Sequence, residues 1–273
     1  MVADLPRGGS PPPPTPETAT PPTPGYGPAV LFLHGFLMDR RMFDPQVEAL
    51  SDAFRCVRFD ARAFGDTRWD GRPFSLYDTA ADGVGLLDAL DIDAATWVGH
   101  SQGGYAALRA ALRHPSRVRA LALIGTRAGV DAQDVREAYR QVRDTWREQG
   151  PVAPLVEGLM EGIIGPPEAV PALRRAWRPR WEAVSGERIH HALNNLLDRD
   201  DIAGRLDRIE QPAIVIHGEL DEGIPLAHGE ALARELPGCE ELVVVPDAWH
   251  TPNLTRPELV NPALRAFLER HAG

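Results

Sequence analysis

The chain has 273 residues, of which 43% are hydrophobic, with a net charge of -10. Its length suits one large domain, or one domain carrying an insertion. The acidic balance excludes a nucleic-acid binder, which needs a basic footprint to neutralise phosphates. Every one of the 29 basic residues is arginine, and the absence of lysine excludes a Schiff base, a serine-lysine dyad and a Walker A loop.

Residues 6–28 hold ten of the 26 prolines, including PPPP at 11–14. Such a stretch lacks donors for a sheet ladder, so residues 1–27 read as an extended, solvated, flexible tail. The same N-terminus lacks a charged-then-apolar signal pattern, and no apolar run approaches the roughly 18 residues of a membrane span. Cys56 and Cys239 stand far apart, with no metal-ligand spacing around them. Buried free thiols and a cytoplasmic address are the expectation, with no membrane partner.

From Pro28 short apolar runs alternate with helical spacing, as in a parallel sheet with crossover helices. The predicted strands are AVLFL (29–33), FRCVRF (54–59), ATWV (95–98), VRALALI (118–124), AIVIH (213–217) and ELVVV (241–245). Helical spacing covers 43–52, 77–90, 102–113, 226–236 and 256–270. The alternation stops near Arg127 and resumes near Gln211. The helix-like segments between them, broken by GPVAP and GPPEAVP, read as a cap over the strand ends. The predicted organisation is a core of 28–126 and 211–273 with a cap at 127–210.

The segment GHSQG (99–103) falls between a predicted strand and a predicted helix. Ser101 is either punctuation in a tight turn or a nucleophile on a strand-turn-helix elbow. In the second reading Gly99 and Gly103 permit the sharp turn, and the helix behind Ser101 aims N–H groups at developing negative charge. A serine hydroxyl then needs a base, and the base an orienting carboxylate. His250 follows ELVVV by the short loop PDAWH, at the edge where Ser101 sits. His34 also ends a strand, whereas His100, next to Ser101, points the wrong way. Asp221 lies four residues beyond AIVIH, with Glu219 and Glu222 as neighbouring alternatives. Catalytic groups of open parallel sheets gather at this carboxyl edge.

These motifs resemble those of α/β-hydrolase-fold enzymes, over about residues 28–271. The order Ser101, Asp221, His250 is similar to the family's order of nucleophile, acid and histidine. LFLHGF (31–36) resembles the oxyanion loop, which implies that the backbone N–H of Phe36 joins that of Gln102 around the tetrahedral oxyanion. FDARAFGDT (59–67) resembles the family's D-x-R-G-x-G-x-S segment, with Ala63 in place of a glycine and Thr67 in place of a serine. Within the family the chain is most similar to 3-oxoadipate enol-lactonase-like hydrolases and cofactor-free perhydrolases. The resemblance implies a mostly parallel sheet with helices on both faces and a cap inserted after the sixth family strand. The proline-rich stretch stands where the family's first two strands would lie, and without those strands FRCVRF would be an edge guarded by Arg55 and Arg58, or covered in a homo-oligomer.

The implied activity is hydrolysis of a small-molecule carboxylic ester or lactone, with no cofactor and no metal. Perhydrolysis or carbon-carbon cleavage by the same triad, and a non-catalytic binding protein on this scaffold, are the alternatives. His34 and Trp177 are candidate pocket residues. Trp177 and Trp181, four apart, share one helix face and either pack the cap or line the pocket. The cap arginines at 174, 175, 178, 180 and 188 either hold an anionic substrate or are solvated charge.

Overall fold

The computed structural model describes residues 27–273, so the predicted tail of residues 1–27 lies outside the described residues, apart from Gly27. Six strands, β1 (Ala29–Leu33), β2 (Arg55–Phe59), β3 (Ala95–His100), β4 (Val118–Ile124), β5 (Ala213–Gly218) and β6 (Cys239–Val245), form one sheet in the order β2-β1-β3-β4-β5-β6. Every pairing is parallel. Strands covered on both faces read as continuous apolar runs, and β1, β3 and β5 are buried at every position.

Alternate residues of each strand feed two separate cores. Val30, Phe32, Val98, Ala122 and Ile214 join Leu264 and Phe267 on one face. Leu31, Trp97, Leu121 and Val215 join Leu87, Leu108 and Leu232 on the other. The first core is packed by α1 (Asp44–Leu50), the short α9 (Pro252–Thr255) and α10 (Pro257–His271), and the second by α2 (Leu76–Ala89), α3 (Gln102–Arg113) and α8 (Leu226–Glu235). Period-2 alternation is what sends successive side chains to opposite faces.

Between β4 and β5 lie α4 (Gln133–Gln149), α5 (Ala153–Ile163), α6 (Pro171–Glu182) and α7 (Gly186–Leu197). GPVAP and GPPEAVP fall at the α4–α5 and α5–α6 connections, where Gly150 and Gly165 have positive φ. Trp146, Trp177, Trp181, Val156 and Met160 are buried in one apolar cluster. Trp177 therefore packs among these helices.

Among the described residues no strand pairs with the outer edge of β2. Its two arginines turn back onto their own chain. Arg55 donates to the Leu90 carbonyl (3.2 Å), while Arg58 donates to that of Arg40 (3.3 Å) and pairs with Asp44.

Candidate active site

The carboxyl ends of β3, β5 and β6 bring three sequence-distant groups together. β3 ends at His100, and Ser101 follows with φ 50° and ψ -117° before α3 begins. A non-glycine residue with positive φ is strained and persists only where its surroundings hold it. Ser101 N–H donates to the Ile124 carbonyl (2.9 Å), and its own carbonyl accepts from the Thr126 hydroxyl (2.9 Å) and Tyr105 N–H (3.1 Å). The turn is thus clamped from β4 and from the helix.

The flanking glycines serve this turn by a different route from the expected one. Neither Gly99 nor Gly103 has positive φ, and the unusual conformation belongs to Ser101 itself. Their role is close approach: a Cβ on Gly103 would lie 2.0 Å from the Leu33 carbonyl oxygen, and one on Gly99 would lie 2.5 Å from that of Gly103. α3 can therefore pack directly on the end of β1.

Ser101 occupies the N-cap of α3, a position where a serine oxygen ordinarily accepts from an N–H of the first turn. Here the side chain makes no capping bond. Its hydroxyl lines a cavity of about 150 Å³ together with Phe36 and His250. The backbone N–H groups of Phe36, in the loop after β1, and of Gln102, first residue of α3, have no acceptor among the described residues. First-turn N–H groups are left over by helix geometry and carry the positive end of the helix dipole.

His250 follows β6 through a loop in which Asp247 has φ 53°. Its Nδ1 lies 2.7 Å from Oδ2 of Asp221. The carboxylate accepts at that contact, so the hydrogen-bond network assigns the proton to Nδ1 and leaves Nε2 as an acceptor. Asp221 also accepts from Ile224 N–H (2.8 Å) and has His217 Nε2 at 3.4 Å. Burial alone would raise its pKa. The charge interaction with His250 and the hydrogen bonds from His217, His250 and Ile224 outweigh that and hold the carboxyl well below the usual range. Glu219 and Glu222, its sequence neighbours, are exposed. Ser101 and His250 make no hydrogen bond to one another in this state, although both line the one cavity; such contacts are often loose before substrate binds.

His100 has a part that its position beside Ser101 did not reveal. Its Nε2–H donates to the His250 carbonyl (2.7 Å), and the two rings lie 4.8 Å apart. Burial, with the nearby His250 ring, pushes the His100 pKa down to about 3. Its Nδ1 is buried without a partner, 2.3 Å from where a Cβ on Gly35 would stand.

His34 and Trp177 do not line the cavity. His34 is engaged in the fold: Nδ1–H donates to the Gly35 carbonyl, and Nε2 accepts from Ala61 N–H, both at 2.8 Å. Burial lowers its pKa, which keeps the ring neutral in that bridge. Nor do the arginines of α6 and α7 reach the cavity. Arg174 donates to the Gly165 carbonyl (2.7 Å) and pairs with Glu157, Arg180 pairs with Asp39 (3.2 Å), and Arg188 donates to the Gly65 carbonyl (3.1 Å).

Comparison with known proteins bears on what such a site does. The sequence matches the model of the alpha/beta hydrolase fold over residues 28–257. It is 32% identical over 254 residues, 89% of this chain and 96% of the relative, to the pimeloyl-(acyl-carrier protein) methyl ester esterase of Xanthomonas campestris pv. campestris. A thermophilic esterase from Thermogutta terrifontis (malate bound) superimposes with a TM-score of 0.83 at 30% identity, over 90% of this chain and 91% of that one. The enol-lactonase from Burkholderia xenovorans LB400 gives a TM-score of 0.83 at 27% identity, over 90% and 92% of the two chains.

Proposed function

The chain belongs to the alpha/beta hydrolase fold family, and from that premise we propose that it cleaves a small-molecule carboxylic ester or lactone through an acyl-enzyme on Ser101. Its relatives named as esterases and as an enol-lactonase make it a carboxylic ester hydrolase. In the proposed mechanism Ser101 attacks the ester carbonyl while His250 Nε2 takes its proton. Asp221 stabilises the imidazolium, and the N–H groups of Phe36 and Gln102 receive the oxyanion. His250 returns the proton to the leaving alcohol, then activates the water that releases the acid.

The observation that carries this reading is the 2.7 Å bond from His250 Nδ1 to Asp221. It selects the tautomer whose Nε2 can accept a proton, on a ring sharing a cavity with a serine hydroxyl that caps nothing. Residues 127–210 would form the cap, with 28–126 and 211–273 as the core. The unpaired Cys56 and Cys239 support a reducing, cytoplasmic setting.

The test is labelling by a fluorophosphonate probe beside hydrolysis of chromogenic esters. Covalent label on Ser101 is expected, together with loss of turnover in Ser101→Ala and His250→Ala. Turnover that survives both substitutions overturns the mechanism. An unlabelled Ser101, with ligand binding unchanged in Ser101→Ala, would assign a binding protein instead.

A further inference from the structure

The cavity that holds Ser101 and His250 is also lined by Tyr105, Asp131, Tyr139 and Arg199, none of which acyl transfer itself requires. They come from three places: Tyr105 one turn into α3, Asp131 and Tyr139 before and within α4, and Arg199 just beyond α7. Arg199 and Asp131 lie 2.7 Å apart with side chains 1% and 4% exposed, and Asp131 pairs in addition with Arg127. Arg199 also donates to the Leu196 carbonyl (2.7 Å) and sits 4.7 Å over the Tyr105 ring.

Two guanidiniums share one carboxylate in this cluster, so it carries an excess positive charge away from water. Arginine does not relieve that by losing its proton, and a buried charge without compensation is costly. Nε of both Arg127 and Arg199 is buried without a partner. The hydroxyls of Tyr105 and Tyr139 make no hydrogen bond among the described residues. Burial raises the pKa of both phenols, which therefore remain O–H donors. Asp221 is not part of the cavity wall. The wall is otherwise largely apolar, with Phe36, Leu159, Ile163, Leu196 and Ile224. Away from Ser101 and His250 its polar end presents the two unpaired phenol O–H groups, backed by Arg199 and by Asp131, whose buried Oδ2 faces Arg199 as an ion pair without a directed hydrogen bond.

We infer that Tyr105 and Tyr139, backed by the Arg127–Asp131–Arg199 cluster, form a subsite for a carboxylate at the far end of a short acyl ester. This rests on the reading of Ser101 as the nucleophile. A cavity of about 150 Å³ holds a group the size of benzene. One turn of helix, about 5.4 Å, separates the levels of Ser101 and Tyr105 on α3. The substrate class is accordingly the half-ester of a short dicarboxylic acid. Arg127 and Arg199 act as positioning residues, and the two tyrosines as the groups that touch the substrate.

The test compares methyl pentanoate with monomethyl glutarate, acyl groups of equal carbon count that differ in a terminal methyl against a carboxylate. Hydrolysis is followed by acid release at constant pH, beside fluorophosphonate labelling of the same protein. The expected result is a kcat/KM at least about tenfold higher for the glutarate, with that ratio falling about tenfold in Tyr139→Phe and in Tyr105→Phe, as for a lost hydrogen bond to a charged group. A ratio of one or less in a protein that labels at Ser101, or a ratio unmoved in both variants, overturns the subsite and leaves the hydrolase standing. Should neither ester turn over in a protein that labels, glutarate must slow labelling more than an equal concentration of pentanamide; equal slowing also overturns the subsite. Absence of labelling removes the nucleophile and the inference together.

Discussion

Acid weakens this fold through His100. The ring is buried, with Nε2–H committed to the His250 carbonyl at 2.7 Å and Nδ1 without an acceptor for a second proton. Protonation places a charge where nothing can solvate it, and the pKa falls from 6.5 to about 3. The unfolded ring still titrates near 6.5, so below that pH the unfolded state binds a proton that the folded state refuses. The stability contributed by a neutral His100 is complete above pH 6.5 and is lost as the pH falls toward 3. At 1.36 kcal/mol per pH unit, the step from pH 6.5 to 5 removes about 2 kcal/mol. For a chain of this size that lowers Tm by about 4 to 8 °C. Thermal unfolding at pH 7 and pH 5 should therefore show a steeper fall in the wild type than in His100→Gln, whose amide can donate to the same carbonyl but does not titrate. Other acidic groups contribute alike to both proteins and cancel in the difference. Equal falls, or a His100 ring signal that titrates near pH 6 in the NMR spectrum of the folded protein, would refute the reasoning.

Two further outcomes follow from the geometry. Asp221→Asn removes the acceptor that fixes the His250 tautomer, and kcat should fall by about 10⁴ with a much smaller change in KM. The wild-type carboxyl titrates well below the usual range, so it remains ionised from pH 5 to 8, and an acid limb of the pH–rate profile in that window belongs to another group. Gly103→Ala places a methyl 2.0 Å from the Leu33 carbonyl oxygen, which should cost about 3 kcal/mol by overpacking. Gly204→Ala, where nothing lies within 4 Å, should change stability by less than about 0.5 kcal/mol; equal effects in denaturant titrations would show that close packing of α3 is not what position 103 requires.

The strands were legible wherever burial alone defines them. AVLFL and VRALALI coincide with β1 and β4, because both are covered on each face and apolar almost throughout. β6 starts two residues before ELVVV, at Cys239, which pairs with Ala213. The register shifts between that pair and Ile214–Glu241, leaving Glu240 without a partner on β5, and hydropathy does not register such an irregular polar start. The four-residue α9 escaped for the opposite reason, since one turn carries no period to detect. Ser101, Asp221 and His250 could be picked out because each closely follows a strand, so local order encodes a shared edge. The assignments of His34 and His100 turn on partners remote in sequence. His34 is held by Ala61, and His100 holds a carbonyl 150 residues away. Trp177 shows the limit of helical spacing, which groups side chains on one face without saying what that face meets.

The backbone at Ser101 also restricts which mutations the site can explore. At φ 50° and ψ -117° a β-branched side chain meets its own backbone, so Thr, Val and Ile are barred however well they suit the strand before it. Threonine offers the same hydroxyl yet is no conservative replacement here. Serine, cysteine and aspartate escape that clash, each with a single heavy atom on Cβ. Chemical drift at this position therefore runs among an alkoxide, a thiolate and a carboxylate, with each exchange free to occur while β3, α3 and the turn between them keep their shape.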